Sequence, residues 1–280
     1  GPGSEVGDEL VVHPEIRLVS VTGSAETGKR VAARAAGMFK RVSLELGGKN
    51  PLIVLKDADI DYAAQAILFG AFQHQGQNCM SIERIIVERP LADRLAEKVA
   101  EAAERLPVGD PRDHRNLLGP MINEAQRDIV HRHVTDAVRQ GAKLLTGGTY
   151  QGLYYRPTVL SGITTSMEIF QEETFGPVAP FIAVDDVEEA LEIANYSRFG
   201  LSAGIITNDL PKAVYLADNI ESGMVHINDG SLYSEIQVPF GGVKDSGLGR
   251  EGSGGFAFEE MTELKWITIQ HGKRSFPFSV

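Results

Sequence analysis

The chain has 280 residues, 42% of them hydrophobic and 23% charged, with a formal net charge of −11. Those fractions suit an ordinary globular protein, long enough for one large domain or two smaller ones. The acidic balance argues against a nucleic-acid surface, which carries a basic stripe, and no apolar run approaches the roughly 18 residues that span a bilayer.

The first residues, Gly1-Pro2-Gly3-Ser4, have no apolar content and read as a protease-tag scar. The sequence starts without methionine and without a signal-peptide pattern, so it reads as beginning mid-gene. Ile16 to Val21 is β-rich. The turn Thr22-Gly23-Ser24 follows, and then the alanine-rich stretch Val31 to Phe39 reads as a helix. Val42 to Leu46 and Pro51 to Leu55 read as strands, and Asp57 and Asp59 as starters of a helix running to about Gln73.

Arg84 to Glu88 is a strand and Leu91 to Leu106 an amphipathic helix. Pro107 to Pro120 is a loop and Asn123 to Gln140 a helix. Lys143 to Leu145 and Tyr154 to Leu160 are strands around the turn Gly147-Gly148. Val178 to Val184, Leu201 to Thr207 and Met224 to Asn228 are strands alternating with helices at Val187 to Asn195 and Lys212 to Ile220. This alternation predicts an α/β fold with a mostly parallel sheet. Val238 to Phe256 is glycine-dense, and Leu264 to Gln270 alternates as a strand with no evident neighbour.

Cys79 is the only cysteine, so no intrachain disulfide forms and the cytoplasm is the expected compartment. A lone cysteine is commonly a small buried hydrophobe. Here its neighbours Gln75, Gly76, Gln77, Asn78 and Ser81 are polar or tiny, which suits a thiol that a ligand can reach. A helix starting after it would lower its pKa. Glu45, between Leu44 and Leu46 at a strand end, either faces solvent or points into a cleft, where it could serve as a base.

Gly23 and Ser24 stand where helix N–H groups can hold a pyrophosphate, or where Ser24 is an ordinary cap. Glu172-Glu173-Thr174-Phe175-Gly176-Pro177 is either a solvated acidic loop or one that offers a carboxylate to ribose and a ring to a flat ligand. Pro239 to Glu251 is either a flexible loop or a packed crossover. His131 and His133 point apart on a helix, and His13, His74, His114, His226 and His271 are scattered, so no metal site is expected.

Taken together, five ordered segments resemble the aldehyde dehydrogenase superfamily: Thr22-Gly23-Ser24 with Gly28, Leu44 to Lys49, Gly76 to Cys79, Glu172 to Pro177, and Pro239 to Glu251. The resemblance covers essentially everything after residue 4. It implies a catalytic domain of aldehyde dehydrogenase type with a Rossmann-like remnant and a C-terminal oligomerisation strand. The implied boundaries are 5–46 for the remnant, 47–246 for the catalytic domain, 247–262 for a return segment and 263–280 for the tail.

By position, the resemblance makes Cys79 the nucleophile and Glu45 the base that activates the deacylating water. Gly23, Ser24 and Gly28 become cofactor contacts, Glu173 the ribose ligand and Phe175 the ring beside the nicotinamide. It implies oxidation of an aldehyde to an acid with NAD or NADP, and a homodimer or larger homo-oligomer. The tail Thr262 to Thr268 is similar to members acting on aromatic aldehydes, such as benzaldehyde or vanillin.

Family members are typically far longer, and the Pro-Trp-Asn segment that brings an oxyanion-holding asparagine has no counterpart here: the only tryptophan is Trp266. Loss of one such donor costs roughly 10²–10³ in rate, so weak or absent dehydrogenase activity is expected, with no cofactor bound as one alternative. Two other readings stand beside it, a cofactor-independent thiol esterase and a non-catalytic, self-associating module.

Overall fold

The computed structural model describes residues 1–252 and 254–278. Residue 253, within the expected return segment, and residues 279–280, at the end of the expected tail, lie outside the described residues.

After a helical turn at Gly3–Gly7, the chain runs through α1 (Asp8–Val12), β1 (Leu18–Thr22), α2 (Ala25–Ala36) and β2 (Arg41–Glu45). It continues through β3 (Asn50–Val54), α3 (Ile60–Phe72), β4 (Ile82–Glu88), α4 (Arg89–Glu104) and α5 (Glu124–Arg139). Next come β5 (Lys143–Thr146), β6 (Tyr150–Gln151), β7 (Tyr154–Tyr155), β8 (Thr158–Ser161), α6 (Glu168–Gln171) and β9 (Val178–Val184). Then follow α7 (Val187–Asn195), β10 (Phe199–Gly200), β11 (Ser202–Ile206), α8 (Leu210–Asn219) and β12 (Met224–Ile227). The last elements are β13 (Pro239–Phe240), β14 (Val243–Lys244), β15 (Gly247–Leu248), β16 (Glu251–Gly252) and α9 (Gly254–Met261).

Seven strands form one sheet in the order β12-β11-β3-β4-β9-β8-β5. Every neighbouring pair is parallel except β5 with β8. Helices cover both faces, so the inner strands are buried and largely apolar; β3 is buried at every residue. One core packs Ile53, Ile86, Phe170, Ile182 and Ile205 on one face. The other packs Leu52, Ile67, Ile85, Val99 and Phe181.

A second, three-stranded sheet has the order β1-β2-β15. β1 and β2 are parallel and joined by α2, while β15 returns antiparallel and sets Gly247 opposite Glu45. The glycine-dense stretch is therefore a packed crossover built of two-residue strands.

Three expectations need correction. Tyr154 to Leu160 is not one strand, because Pro157 has no N–H to give and separates β7 from β8. Leu264 to Gln270 forms no ladder with any described residue, and Leu264, Trp266 and Ile269 are exposed. The alternation was read correctly as a pattern, but a strand exists only with a partner. The helix starting after Cys79 is also absent: a turn leads straight into β4.

Candidate active site

Six of the seven site residues expected from sequence line one cavity of about 570 Å³: Gly23, Ser24, Glu45, Cys79, Glu173 and Phe175. The seventh, Gly28, sits one turn into α2 with its Cα against the Leu46 side chain, where an added Cβ would lie 2.5 Å from Leu46 Cδ1. It lets the helix lie close to the strand end and does not reach the cavity wall.

Glu45 is the last residue of β2, 4% exposed, and neither of its carboxylate oxygens has a hydrogen-bond partner among the described residues. Burial, and then the charge of Glu251, push its pKa up to about 8, with Arg250 acting in the opposite sense. A buried carboxylate on the wall of a cavity, without a donor among the described residues, is costly to the fold and chemically able to exchange a proton with a ligand or water there.

Cys79 arrives from α3 through three consecutive left-handed residues, His74, Gln75 and Gly76, at φ 55°, 58° and 64°. Two of these are not glycine and cost on the order of 1–2 kcal/mol each, so the turn is held by its surroundings. The Asn50 side-chain amide donates to the carbonyls of Cys79 and Ser81, each at 2.8 Å, and ties the loop to β3. Cys79 is a free, half-buried thiol. Burial, then the charges of Glu173 and Glu45, push it up to about 11; the amides of Cys79 and Met80 act weakly the other way.

Glu173 comes in from the loop before β9. Its Oε1 accepts the Gly48 N–H at 2.9 Å. A Cβ on Gly47 would sit 2.5 Å from Glu173 Oε2, and one on Gly48 would sit 2.5 Å from the Cys79 carbonyl oxygen. The Gly-Gly pair thus lets a carboxylate and the nucleophile loop approach the same stretch of backbone. Burial, then the charge of Glu83, push Glu173 up to about 7, against the Gly48 N–H, Lys49 and Arg198.

Phe175 follows with φ 51°, and its ring lines the cavity. Gly23 and Ser24 lie at the N-terminus of α2. The Gly23 N–H donates to the Glu45 carbonyl at 3.0 Å, and Ser24 Oγ caps the helix by accepting from Thr27 N at 3.2 Å. One cavity thus brings together a helix N-terminus, the Glu173 carboxylate, the Phe175 ring, the thiol and Glu45. This set fits a dinucleotide: N–H groups for pyrophosphate, Glu173 for ribose hydroxyls, Phe175 for a flat ring.

Sequence reasoning missed Gln126, which lines the cavity and donates through Nε2 to the carbonyls of Thr174 at 2.9 Å and Phe175 at 3.2 Å. A glutamine three residues after the Asn123 cap looks like any capping residue. Glu83 was missed too. Its signal was two adjacent charged residues, Glu83 and Arg84, ahead of the apolar run Ile85 to Val87 of the same strand.

The family model for aldehyde dehydrogenases matches residues 1–267. The chain is 44% identical over 276 residues to the NAD(+) benzaldehyde dehydrogenase of Pseudomonas putida, covering 99% of this chain and 57% of that protein. It is 44% identical over 277 residues to a vanillin dehydrogenase of an Amycolatopsis species, again covering 99% of this chain and 57% of that one. Among solved structures, the glyceraldehyde-3-phosphate dehydrogenase of Methanocaldococcus jannaschii, complexed with NADP, superposes with a TM-score of 0.91 at 42% identity, covering 95% of this chain and 57% of the other. The chain spans just over half the length of these proteins. With its family signature spread over nearly all of its residues, and its parallel sheet shared with a solved member, the chain belongs to the aldehyde dehydrogenase family.

Proposed function

We propose that this chain carries the acyl-transfer chemistry of an aldehyde dehydrogenase, oxidising an aldehyde to a carboxylic acid with NAD or NADP. The observation that carries the reading is the opening of Cys79 and Glu45 into one cavity together with Gly23, Ser24, Glu173 and Phe175.

In this reading the Cys79 thiol gives its proton to solvent in the cavity, its sulfur adds to the aldehyde carbonyl, and the Cys79 N–H stabilises the oxyanion. A bound nicotinamide would supply the hydride acceptor; Gly23 and Ser24 would hold the dinucleotide's pyrophosphate and Glu173 its ribose, with the Phe175 ring offered to the nicotinamide. Cys79 then carries the acyl group as a thioester. Glu45 takes a proton from a water, the water attacks the thioester carbonyl, and the acid leaves as the sulfur regains its proton. The unpartnered carboxylate oxygens of Glu45 support this role, since a base must keep a lone pair free for the water.

An aromatic aldehyde is the proposed substrate class, supported by the two aromatic-aldehyde relatives. The single thiol, needed reduced, suits the cytoplasm. We read 5–46 as the cofactor-facing unit, 47–246 as the catalytic unit, 247–262 as the return, which lends β15 to the first sheet, and 263–280 as an oligomerisation tail. The exposed apolar side chains at Leu264, Trp266, Ile267 and Ile269 support self-association through that tail.

The test is formation of reduced cofactor from benzaldehyde with NAD or NADP. Slow formation, abolished by Cys79→Ala, is the expected result; formation that survives the substitution contradicts the reading. A second reading, cofactor-independent thiol esterase, is favoured by the fact that Cys79 and Glu45 share the cavity without needing any other group. Hydrolysis of a nitrophenyl ester without cofactor separates the two.

A further inference from the structure

The most heavily invested polar group in the core is one that the proposed chemistry leaves unused. Glu83 and Lys49 are 3% and 1% exposed, and Lys49 Nζ lies 2.6 Å from Glu83 Oε2. Glu83 Oε2 also accepts the Thr174 N–H at 2.7 Å, and Oε1 accepts the Phe175 N–H at 2.7 Å. Lys49 Nζ donates in addition to Thr174 Oγ1 at 3.1 Å, and His133 Nδ1 lies 3.3 Å from the same oxygen. With the Gln126 side chain on the carbonyls of Thr174 and Phe175, both backbone N–H groups and both carbonyls of this two-residue segment are held by side chains.

The cost of this arrangement argues for a purpose. A buried ion pair is weak evidence for stability, because an apolar pair of similar volume commonly does as well or better. β4 is buried along its whole length, so an apolar residue at position 83 would have suited its surroundings. Arg84, next along the strand, points to the other face and serves the backbone carbonyls of Lys49, Ile193 and Ala194. The carboxylate of Glu83 is directed instead at two consecutive amides, of which the second belongs to a non-glycine residue at φ 51°. Charge-assisted bonds to both amides are what can hold that strained conformation. The segment so held lies between Glu173, whose carboxylate rests on the Gly48 N–H, and the cavity-lining ring of Phe175.

We propose that Glu83, seated on Lys49, is a positioning residue: through the Thr174 and Phe175 amides it fixes the Glu173 carboxylate and the Phe175 ring for a nicotinamide riboside. The proposal rests on the reading of the cavity as a nicotinamide site. Glu83 touches neither substrate nor cofactor; it acts through the loop.

The test uses the whole chain and two variants. Glu83→Gln alone strands the Lys49 charge and can simply unfold the protein. Glu83→Gln combined with Lys49→Met removes both charges at similar volume, and is the variant expected to fold. Amide hydrogen exchange, read by fragment-resolved mass spectrometry without cofactor, is expected to speed up at Thr174 and Phe175 by at least about tenfold in the double variant, with β4 and β9 unchanged. Calorimetric affinity for NAD or NADP is expected to fall by a similar factor while the thermal midpoint holds. A folded double variant with wild-type exchange at those two amides, or with wild-type cofactor affinity, overturns the proposal. A wild-type chain that gives no calorimetric response to either nucleotide overturns the nicotinamide reading instead, and the exchange experiment then decides the Glu83 clamp by itself.

Discussion

Glu45 and Cys79 reach one cavity from two different sheets, and the charge of the first helps hold the thiol of the second above its ordinary pKa. Glu45 ends β2 of the small sheet, whereas Cys79 stands in the turn before β4 of the large one. Thiol and carboxylate are thus carried by separate frames, and their approach depends on how β1, β2 and β15 seat against the seven-stranded sheet.

The first prediction concerns pH and deacylation. A carboxylate works as a base only when deprotonated, and Glu45 is pushed up to about 8. Hydrolysis of a Cys79 acyl group is therefore expected to rise between pH 7 and 9 and level off above. Glu45→Gln should flatten the profile and lower the plateau by roughly 10²–10⁴. Stopped-flow ester hydrolysis across this range checks it; an unchanged profile in the variant removes Glu45 from the chemistry.

Thiol reactivity gives an independent reading of the same electrostatics. With Cys79 pushed up to about 11, its alkylation by iodoacetamide near pH 7.5 should be on the order of 10²-fold slower than that of an ordinary cysteine. The rate should still be climbing at pH 9.5. At pH 9.5, where both carboxylates are ionised, Glu173→Gln and Glu45→Gln should each accelerate it, because each removes a negative charge that opposes the thiolate. Alkylation at the rate of a small-molecule thiol would contradict the account.

Keeping Glu45 buried has a cost in stability. The unfolded chain loses this proton near the usual 4.5, the folded chain only near 8. Between those values the folded state binds more protons, so stability declines as pH rises from about 4.5 to about 8 and then levels off. Glu45→Gln should remove that decline and stabilise the protein by on the order of 2 kcal/mol at pH 8. Urea denaturation of both proteins at pH 5 and pH 8 measures it; a variant less stable at pH 8 than wild type would show that Glu45 has a partner in solution.

Ser24 separates capping from ligand binding. Ser24→Ala should cost about 1 kcal/mol through loss of the bond to Thr27 N, and Ser24→Gly only a few tenths. Both should weaken cofactor binding equally if the hydroxyl itself reaches the pyrophosphate. Thermal unfolding and calorimetry on the two variants distinguish the contributions.

Much of the large sheet was legible because its strands are short apolar runs separated by helices with visible caps: Asp59, Asn123, Asp186 and Asp209 each accept an N–H from their own first turn. Cys79, Glu45 and Glu173 were legible because polar or acidic residues stood where apolar ones were due, and because the segments around them matched a known family order. Glu83, Lys49 and Gln126 were not, since their meaning lies in partners far along the chain; Glu83 and Thr174 are separated by 91 residues. Gly28 packs on Leu46 outside the cavity lining, which spacing alone does not reveal because it does not say which side of a helix a glycine faces. Leu264 to Gln270 shows the limit of alternation as evidence, because the pattern names a strand and leaves its neighbour unspecified.

The most direct measurement is intact mass of the chain after brief exposure to nitrophenyl acetate, followed by peptide mapping. The account predicts one acetyl group, on Cys79, that turns over in the wild type, persists in Glu45→Gln and never forms in Cys79→Ala. No adduct on Cys79, or one that clears as fast in Glu45→Gln as in the wild type, would contradict it.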